Sequence, residues 1–181
     1  MSTPASLRFT YEDYLLLPED RRYEIIDGDL FMTPAPGTPH QRVVGNLYLR
    51  LRQHVDDSGL GEVLIAPCDV VLSPTDVVQP DVLFVAVDRA SIVGEKFISA
   101  APDLVVEVLS PSTEERDRTL KTKLYARAGV RELWIADTKE KTIEVLTNSG
   151  DGFRREAVFD LGTVLRSTLL PGLVIPIAEV F

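Results

Sequence analysis

The chain has 181 residues, a length that predicts one domain, residues 1–181, with a core large enough to fold alone. Its formal net charge of −9 argues against a protein that coats nucleic acid non-specifically, because such binding needs many lysines and arginines to neutralise phosphates. A local basic patch beside an acidic metal site is still compatible with this charge, since net charge says little about one cleft.

The amino-terminal residues and the cysteine count predict a cytoplasmic protein. Residues 1–6 are polar and lack the basic-then-apolar pattern of a signal peptide. No apolar run approaches the roughly 18 residues that a membrane-spanning helix needs. Cys68 is the single cysteine and has no partner for an internal disulfide, which fits a reducing compartment.

The first half of the chain alternates helical and strand patterns, with Gly- and Pro-rich turns between them. The predicted elements are a short capping-box helix from Thr10 that Pro18 ends, hairpin strands at 23–26 and 29–32 around an Asp-Gly pair, a helix at 40–57, one long strand at 62–73 bent at Pro67, a turn at 74–76 and a buried strand at 82–86.

The second half predicts a strand, a helix and then mainly short strands. The elements are a strand at 104–109, a helix that begins at a capping box of Ser112 and Glu115 and ends at Gly129, strands at 133–136, 142–147, 153–159 and 164–170, and an apolar tail at 172–181 that returns to the core. Residues 88–96 give no clear pattern. The whole predicts an α/β fold with helices packed on a central sheet.

Two charged residues occupy positions that a stable fold would normally leave apolar. Glu107 interrupts the strand pattern LVVEVL, and Lys121 falls on the inward face of the following helix. A buried carboxylate or ammonium costs several kcal/mol unless it is paired or bound to a metal. Glu107 could belong to a satisfied structural ion pair, or it could lie exposed on an edge strand. Its place toward the carboxyl end of a central strand favours a functional role.

Helical angles separate Lys121 from its neighbours. At about 100° per residue from Asp117, Lys121 lies near 40°, inside an apolar sector of roughly −60° to 80°. By the same measure Lys123 and Arg116 lie on the solvent side. Lys121 could form an i, i+4 pair with Asp117 and extend to the surface, or it could approach Glu107 and act in a hydrolytic site.

Two further carboxylates are candidates, each with an ordinary structural explanation. Asp81 follows Pro80 at the head of a short apolar strand, where it could simply begin the strand. Glu24 lies in the first hairpin strand, where an exposed position would explain it as well.

Taken together, these residues resemble the PD-(D/E)XK nuclease superfamily, the restriction-endonuclease-like fold, and most closely its Uma-two family. The matching segments are residues 23–28 (YEIIDG), 36–46 with His40, 79–81 (QPD), 103–113 (DLVVEVLSPST), 117–125 and 126–130. The resemblance implies a central mixed β-sheet flanked by helices, with additional antiparallel strands near the C-terminus. The superfamily usually keeps a lysine two residues after the second acid, where this chain has Leu109, and the matching lysine of the family is Lys121.

The resemblance also implies a metal-dependent endonuclease. Asp81, Glu107 and Glu24 would hold Mg²⁺ or Mn²⁺, and Lys121 would act beside them. His40, Asp117 and Tyr125 would support the site, and five residues would supply a basic surface: Arg116, Arg118, Lys123, Arg127 and Arg131. The substrate would be nucleic acid, DNA in preference to RNA, and the protein would be a homodimer.

Two other functions remain open at the level of the sequence. The acidic composition and the displaced lysine are compatible with a non-catalytic binding or assembly module that has a nuclease-like fold. An acidic surface also suits a hydrolase of small phosphate esters. Convergence of the carboxylates and the charge around their cleft distinguish these functions from an endonuclease.

Overall fold

The structure of the protein is a computed structural model that describes residues 7–18 and 20–181. The prediction made for residues 1–6 lies outside this range. Among the described residues, no helix is both long and apolar enough to cross a lipid bilayer.

Thirteen short strands and four α-helical segments make up the described chain. They are α1 (Tyr11–Tyr14), β1 (Arg22–Ile26), β2 (Asp29–Thr33), α2 (Thr38–Ser58), β3 (Gly61–Ile65), β4 (Asp69–Ser73), β5 (Asp76–Val78), β6 (Val82–Ala86), a 3₁₀ turn (Val87–Ile92), β7 (Phe97–Ile98), β8 (Leu104–Val108), α3 (Glu114–Arg116), a π turn (Asp117–Lys121), α4 (Thr122–Ala128), β9 (Glu132–Asp137), β10 (Thr142–Asn148), β11 (Phe153–Phe159), β12 (Val164–Leu165), β13 (Ile175–Pro176) and a 3₁₀ turn (Ile177–Glu179).

The largest sheet is mixed and has six strands in the order β11-β10-β9-β8-β6-β3. β8 runs parallel to β9 and antiparallel to β6, so it lies at the centre of the sheet. All five residues of β8 are buried, which is why its sequence is nearly continuous in apolar residues. This sheet, together with the antiparallel pair β12–β13, confirms the predicted central mixed sheet with extra antiparallel strands near the C-terminus.

The two faces of the six-stranded sheet pack against different layers. Leu104, Val106 and Val108 face the cluster that includes α2 and the C-terminal residues. Val105 and Leu109 face the opposite cluster, with Leu124 and Tyr125 of α4 and residues of the second sheet. Because side chains alternate along a strand, Glu107 belongs to this second face and is directed toward the helix that carries Lys121.

A second sheet of five strands, in the order β2-β1-β5-β4-β7, corrects the prediction of one long strand at 62–73. The chain leaves the six-stranded sheet after β3 and enters the five-stranded sheet at β4, with a cis peptide bond between Ala66 and Pro67. Asp76, predicted to end the turn at 74–76, instead begins β5, which pairs with β1 and β4.

The helix that follows β8 differs from the prediction at its start and in its middle. Thr113 is the N-cap and makes no side-chain cap hydrogen bond, so the predicted capping box of Ser112 and Glu115 is wrong. Instead Thr113 Oγ1 donates a hydrogen bond to Asp117 Oδ2 at 2.7 Å. A π turn then occupies residues 117–121, before α4 ends at Gly129 as predicted.

The remaining helices and the C-terminal region follow the predicted pattern with shifted boundaries. The capping box of Thr10 and Asp13 is present, but α1 ends at Tyr14, before the predicted stop at Pro18. α2 begins two residues early and buries the predicted face of Val44, Leu47, Leu51 and Val55. The strand predicted at 164–170 is limited to β12, and the tail does return buried apolar residues to the core.

Candidate active site

The ammonium of Lys121 is the centre of the charged cluster. Its Nζ lies 2.9 Å from Oε1 of Glu107, 2.8 Å from Oε1 of Glu24 and 3.6 Å from Oδ1 of Asp117. All four side chains are at least 96% buried. The helical angles therefore predicted the inward position of Lys121 correctly. Lys121 pairs with Asp117 and also approaches Glu107, but it does not extend to the surface.

Glu107 holds a proton more readily than an ordinary carboxyl group. Burial raises its pKa to about 8, and the negative charges of Asp117, Asp81 and Glu24 add to this effect, while the Lys121 ammonium opposes it. The phenol of Tyr125 donates a hydrogen bond to the same Oε1, at 2.5 Å. Oε1 is thus fixed by two donors, whereas Oε2 accepts no hydrogen bond from any described residue.

Lys121 is held in its charged form. Burial alone lowers the pKa of a lysine, but the carboxylates of Glu107, Glu24 and Asp117 outweigh it and raise the pKa of Lys121 above its ordinary range. The ammonium is therefore a fixed positive charge, and it is unsuited to accept a proton near neutral pH.

Asp81 reaches the same site from the neighbouring strand. Val82 pairs with Val106 in the antiparallel register of β6 and β8, so the position before Val82 lies beside Glu107. Asp81 Oδ2 accepts the backbone N–H of Val108 at 2.8 Å and lies 3.2 Å from Nε2 of His40, at the N-terminal end of α2. This leaves Oδ1 of Asp81 without a hydrogen-bond partner among the described side chains and backbone groups.

Glu24 is held in the cluster by contacts of both its carboxylate oxygens. Its Oε1 accepts the backbone N–H of Gln79 at 3.0 Å in addition to contacting Lys121. Its Oε2 lies 3.3 Å from the guanidinium of Arg116 and 3.5 Å from Oγ1 of Thr33. Both oxygens of Glu24 are therefore engaged by the protein itself.

A cavity of about 220 Å³ opens onto these residues. Its walls come from the loop at 33–37, the loop at 110–113, and the charged residues of the site; the charged lining consists of Arg22, Glu24, His40, Asp81, Glu107, Arg116, Asp117 and Lys121. Four of these eight residues are acids and four carry basic side chains, so acidic and basic groups meet at the cavity.

Of the three carboxylates predicted to bind a metal, those of Asp81 and Glu107 have an oxygen left for such an ion, and that of Glu24 does not. No group of three or more His, Cys, Asp and Glu side chains in the described chain is arranged to hold a metal. Asp81 and Glu107 nevertheless each have one free carboxylate oxygen, and both line the cavity. Mg²⁺ commonly binds through one or two carboxylates and keeps several waters, so this pair suits it. Glu24 is occupied by Arg116 and Lys121.

The predicted basic surface does not form around the cavity. Of its five residues only Arg116 lines the cavity. Arg118 is paired with Glu114, Asp137 and Glu144, and the remaining pairs are Arg127 with Asp27 and Asp76, and Arg131 with Asp103. Lys123 is exposed outside the cavity.

Gln79 is a site residue that was not predicted, and Arg116 was predicted only as part of a basic surface. The helical angles placed Arg116 on the solvent side because they assumed an uninterrupted α-helix. The π turn that begins at Asp117 changes the rotation per residue. Gln79 holds Glu24 through its backbone N–H, and its side chain donates to Asp69 at 2.7 Å and accepts from Nε of Arg22 at 2.8 Å. Its place in the QPD segment was the only signal available.

Known proteins resemble this chain over nearly its full length. A family model named Uma2 and described as "Putative restriction endonuclease" matches residues 11–178. The crystal structure of a "putative nuclease belonging to DUF820" from Anabaena variabilis ATCC 29413 is similar over 96% of this chain and 97% of that chain, with a TM-score of 0.78 and 21% sequence identity. A search of curated proteins finds no match.

The structural similarity supports the fold, and the family model supports a nuclease-type function for the group. The predicted restriction-endonuclease-like fold is thereby confirmed. Since the family model covers well over half of the sequence, the resemblance noted in the residues is confirmed too: the chain belongs to the Uma2 family of restriction-endonuclease-like proteins.

Proposed function

We propose that this protein is a metal-dependent endonuclease that hydrolyses phosphodiester bonds of nucleic acid at the cavity of Asp81, Glu107 and Lys121. The observation that carries the proposal is the meeting of two carboxylates and a buried ammonium at one cavity, from β6, β8 and the following helix. Family membership supports a nuclease, and the geometry supplies the residues.

Each side chain has a role that its contacts support. Tyr125 and Lys121 fix Oε1 of Glu107, which leaves Oε2 as the oxygen available to a ligand. The N–H of Val108 and the imidazole of His40 orient Asp81 in the same way. Lys121, as a fixed cation, stabilises negative charge that develops near Glu107 during hydrolysis. Asp117 and Glu24 keep the ammonium in position.

Mg²⁺ or Mn²⁺ is the proposed cofactor, held by the free oxygens of Asp81 and Glu107. A bound ion of this kind polarises a phosphate and lowers the pKa of a coordinated water. The contacts of Glu24 make it a positioning residue for Lys121. Glu24 would bind the metal only after releasing Arg116.

The substrate preference, assembly and location of the protein are also proposals. We infer DNA in preference to RNA and a homodimer from the resemblance to the superfamily, and a cytoplasmic location from the single cysteine. Light scattering of the purified protein tests the homodimer directly.

Hydrolysis of a small phosphate ester is a second candidate function, which the size and rim of the cavity favour. About 220 Å³ is little space for a polymer, and only one of the five predicted basic residues lines the cavity. An extended basic rim is the usual electrostatic footprint of a nucleic-acid surface.

The test is cleavage of DNA and RNA strands, and of a chromogenic phosphate monoester and diester, with Mn²⁺, Mg²⁺ or EDTA. We expect metal-dependent cleavage of nucleic acid by the parent, and a loss of at least about a hundredfold in Asp81→Asn and Lys121→Met. Asp57→Asn, which changes an exposed acid at the end of α2, is the matched control. Equal activity in parent and site variants would remove the proposed site, and activity on the small esters alone would select the second function.

A further inference from the structure

Arg116 is a nearly buried arginine whose donors are poorly used. Its side chain is 13% exposed, and its guanidinium carbon lies 5.3 Å from the centre of the Phe31 ring. The guanidinium contacts Glu24 Oε2 at 3.3 Å, but it makes no hydrogen bond of good geometry with any described residue. Nε is fully buried and has no hydrogen-bond partner in the part of the chain that the structure describes.

This arrangement is costly unless the guanidinium receives an anion. A guanidinium carries five N–H donors in a rigid plane, and a desolvated charged donor without a partner costs more than a neutral one. The cation–π contact with Phe31 satisfies none of the N–H donors of the guanidinium. The contact with Glu24 offsets the positive charge of the guanidinium. It leaves most of the N–H donors without an acceptor among the described residues.

The other cations of the cavity are less free to bind a ligand. Lys121 is shared by three carboxylates, and Nε of Arg22 donates to Gln79 Oε1 at 2.8 Å. His40 faces Asp81. The hydroxyl-bearing residues Ser110, Ser112 and Thr113 line the cavity as well and are suited to phosphate oxygens.

We propose that Arg116 binds a phosphate group of the substrate, and that this phosphate displaces Glu24 from the guanidinium. The inference rests on the proposed function, in that it assumes a phosphate-containing substrate in this cavity. It goes further by naming the residue that recognises the phosphate and the contact that must be exchanged. Arginine suits this role because its fork can give two parallel hydrogen bonds to a phosphate.

The exchange gives Glu24 a second effect on binding. While Glu24 is ionised and close to Arg116, it competes with any phosphate for the same guanidinium. Removing its charge should therefore tighten substrate binding, but only where Arg116 is present. A double-mutant cycle between Glu24 and Arg116 isolates this coupling, because the two side chains are in contact.

The experiment measures binding of a fluorescein-labelled single-stranded oligonucleotide by anisotropy, in Ca²⁺ and separately in EDTA, over a range of salt. The variants are Arg116→Gln, Arg116→Lys, Glu24→Gln and the double variant Glu24→Gln/Arg116→Gln. Lys123→Gln is the matched control, since it removes a positive charge from the same helical region outside the cavity. Thermal unfolding, followed through the fluorescence of Trp134, checks that each variant is folded.

We expect Arg116→Gln to weaken binding about tenfold or more and to reduce the salt slope by about 0.7, the value for one phosphate contact on a single strand. Arg116→Lys should lose less, because it keeps the charge. Glu24→Gln should tighten binding severalfold in the parent background and not at all beside Arg116→Gln. Lys123→Gln should change binding by less than about twofold.

Inorganic phosphate, added as a competitor, distinguishes the two sources of the group. Competition that disappears in Arg116→Gln supports recognition of phosphate alone. Arg116-dependent oligonucleotide binding without such competition supports recognition of a phosphate within the chain.

Two results would overturn the inference. One is binding by Arg116→Gln with the affinity and salt slope of Lys123→Gln, and the other is a Glu24→Gln effect that persists without Arg116. If the parent cleaves nucleic acid while either result is found, the proposed function stands and Arg116 is structural. A parent that neither binds nor cleaves nucleic acid would remove both proposals.

Discussion

Nζ of Lys121 lies 2.9 Å from Oε1 of Glu107, and the two residues reach each other from a helix and from a central strand. This pair is embedded in a cluster with more negative than positive side chains, since Glu24 and Asp117 also face the ammonium. A buried ion pair of this kind is weak evidence for stability, because desolvation offsets much of the attraction. Breaking it, however, leaves an uncompensated charge in the interior.

Lys121→Met should destabilise the protein by about 3–5 kcal/mol at pH 8, because methionine fills the space of the stem but removes the charge that three carboxylates share. The loss of stability relative to the parent should become smaller as the pH falls toward 5, since protons can then neutralise the unpaired carboxylates. Urea unfolding of parent and variant at both pH values measures this.

Lys123→Met is the matched control for this substitution. Lys123 is exposed, so its loss should change the free energy of unfolding by no more than about 0.5 kcal/mol at either pH. A Lys121→Met protein as stable as this control at pH 8 would contradict the role of the ammonium in the cluster.

The raised pKa of Glu107 predicts how stability depends on pH in metal-free buffer. Its pKa is about 8 in the folded protein and near the ordinary value of 4.5 in the unfolded chain. Between these values the folded state holds a proton that the unfolded state has released. The free energy of unfolding should therefore fall as the pH rises, by at most about 1.4 kcal/mol per pH unit from this group.

Glu107→Gln tests this sign, because glutamine keeps the shape of the side chain and cannot titrate. The variant should gain stability relative to the parent as the pH rises from about 5 to 8, and the difference should level off above that range. Unfolding curves in EDTA across the range give the comparison. A constant difference between variant and parent would show that Glu107 titrates alike in both states.

The sequence predicts the two ends of the Lys121–Glu107 contact better than it predicts the surroundings. Local periodicity is enough to place Glu107 in a buried strand and Lys121 on an inward helix face. These two placements depend on spacing within a few residues. Asp81 was likewise predicted to precede a short apolar strand, but the register of β6 and β8 that brings it beside Glu107 is a long-range pairing.

The parts that local patterns do not supply depend on long-range pairing or on backbone irregularity. Glu24, which only the family resemblance placed in the site, enters it because β1 belongs to a second sheet that also includes β5, and no local pattern reveals that pairing. Arg116 lines the cavity directly before a π turn that hydrophobic spacing does not report. The single strand predicted at 62–73 is divided between two sheets for the same reason, since periodicity continues across the break.

Glu132, a buried acid outside the cavity, should be essential for stability. Its carboxylate is 1% exposed and accepts hydrogen bonds from Trp134 Nε1 at 2.7 Å, Ser167 Oγ at 2.7 Å, Thr168 Oγ1 at 2.9 Å and the backbone N–H of Leu169 at 3.3 Å. Glu132→Ala leaves these donors without a partner and should cost about 3–5 kcal/mol.

Trp134 is the only tryptophan of the chain and reports on this site directly. Urea unfolding followed by its fluorescence measures the loss, and Ser167→Ala, which removes one of the four donors, should cost only about 1 kcal/mol. A Glu132→Ala protein within 1 kcal/mol of the parent would mean that the carboxylate does not anchor the segment after β12.

Metal binding should be visible without any substrate, as a stabilisation that depends on Asp81 and Glu107. A ligand at a hundred times its dissociation constant stabilises the folded state by about 2.7 kcal/mol, so Mn²⁺ should raise the thermal midpoint of the parent by several degrees. The shift should be larger at pH 8.5 than at pH 6, because a carboxyl group must lose its proton to bind a metal and the pKa of Glu107 is about 8. Asp81→Asn and Glu107→Gln should lose the shift, while Asp57→Asn should keep it. A shift of equal size in all four proteins would mean that Mn²⁺ binds outside the cavity.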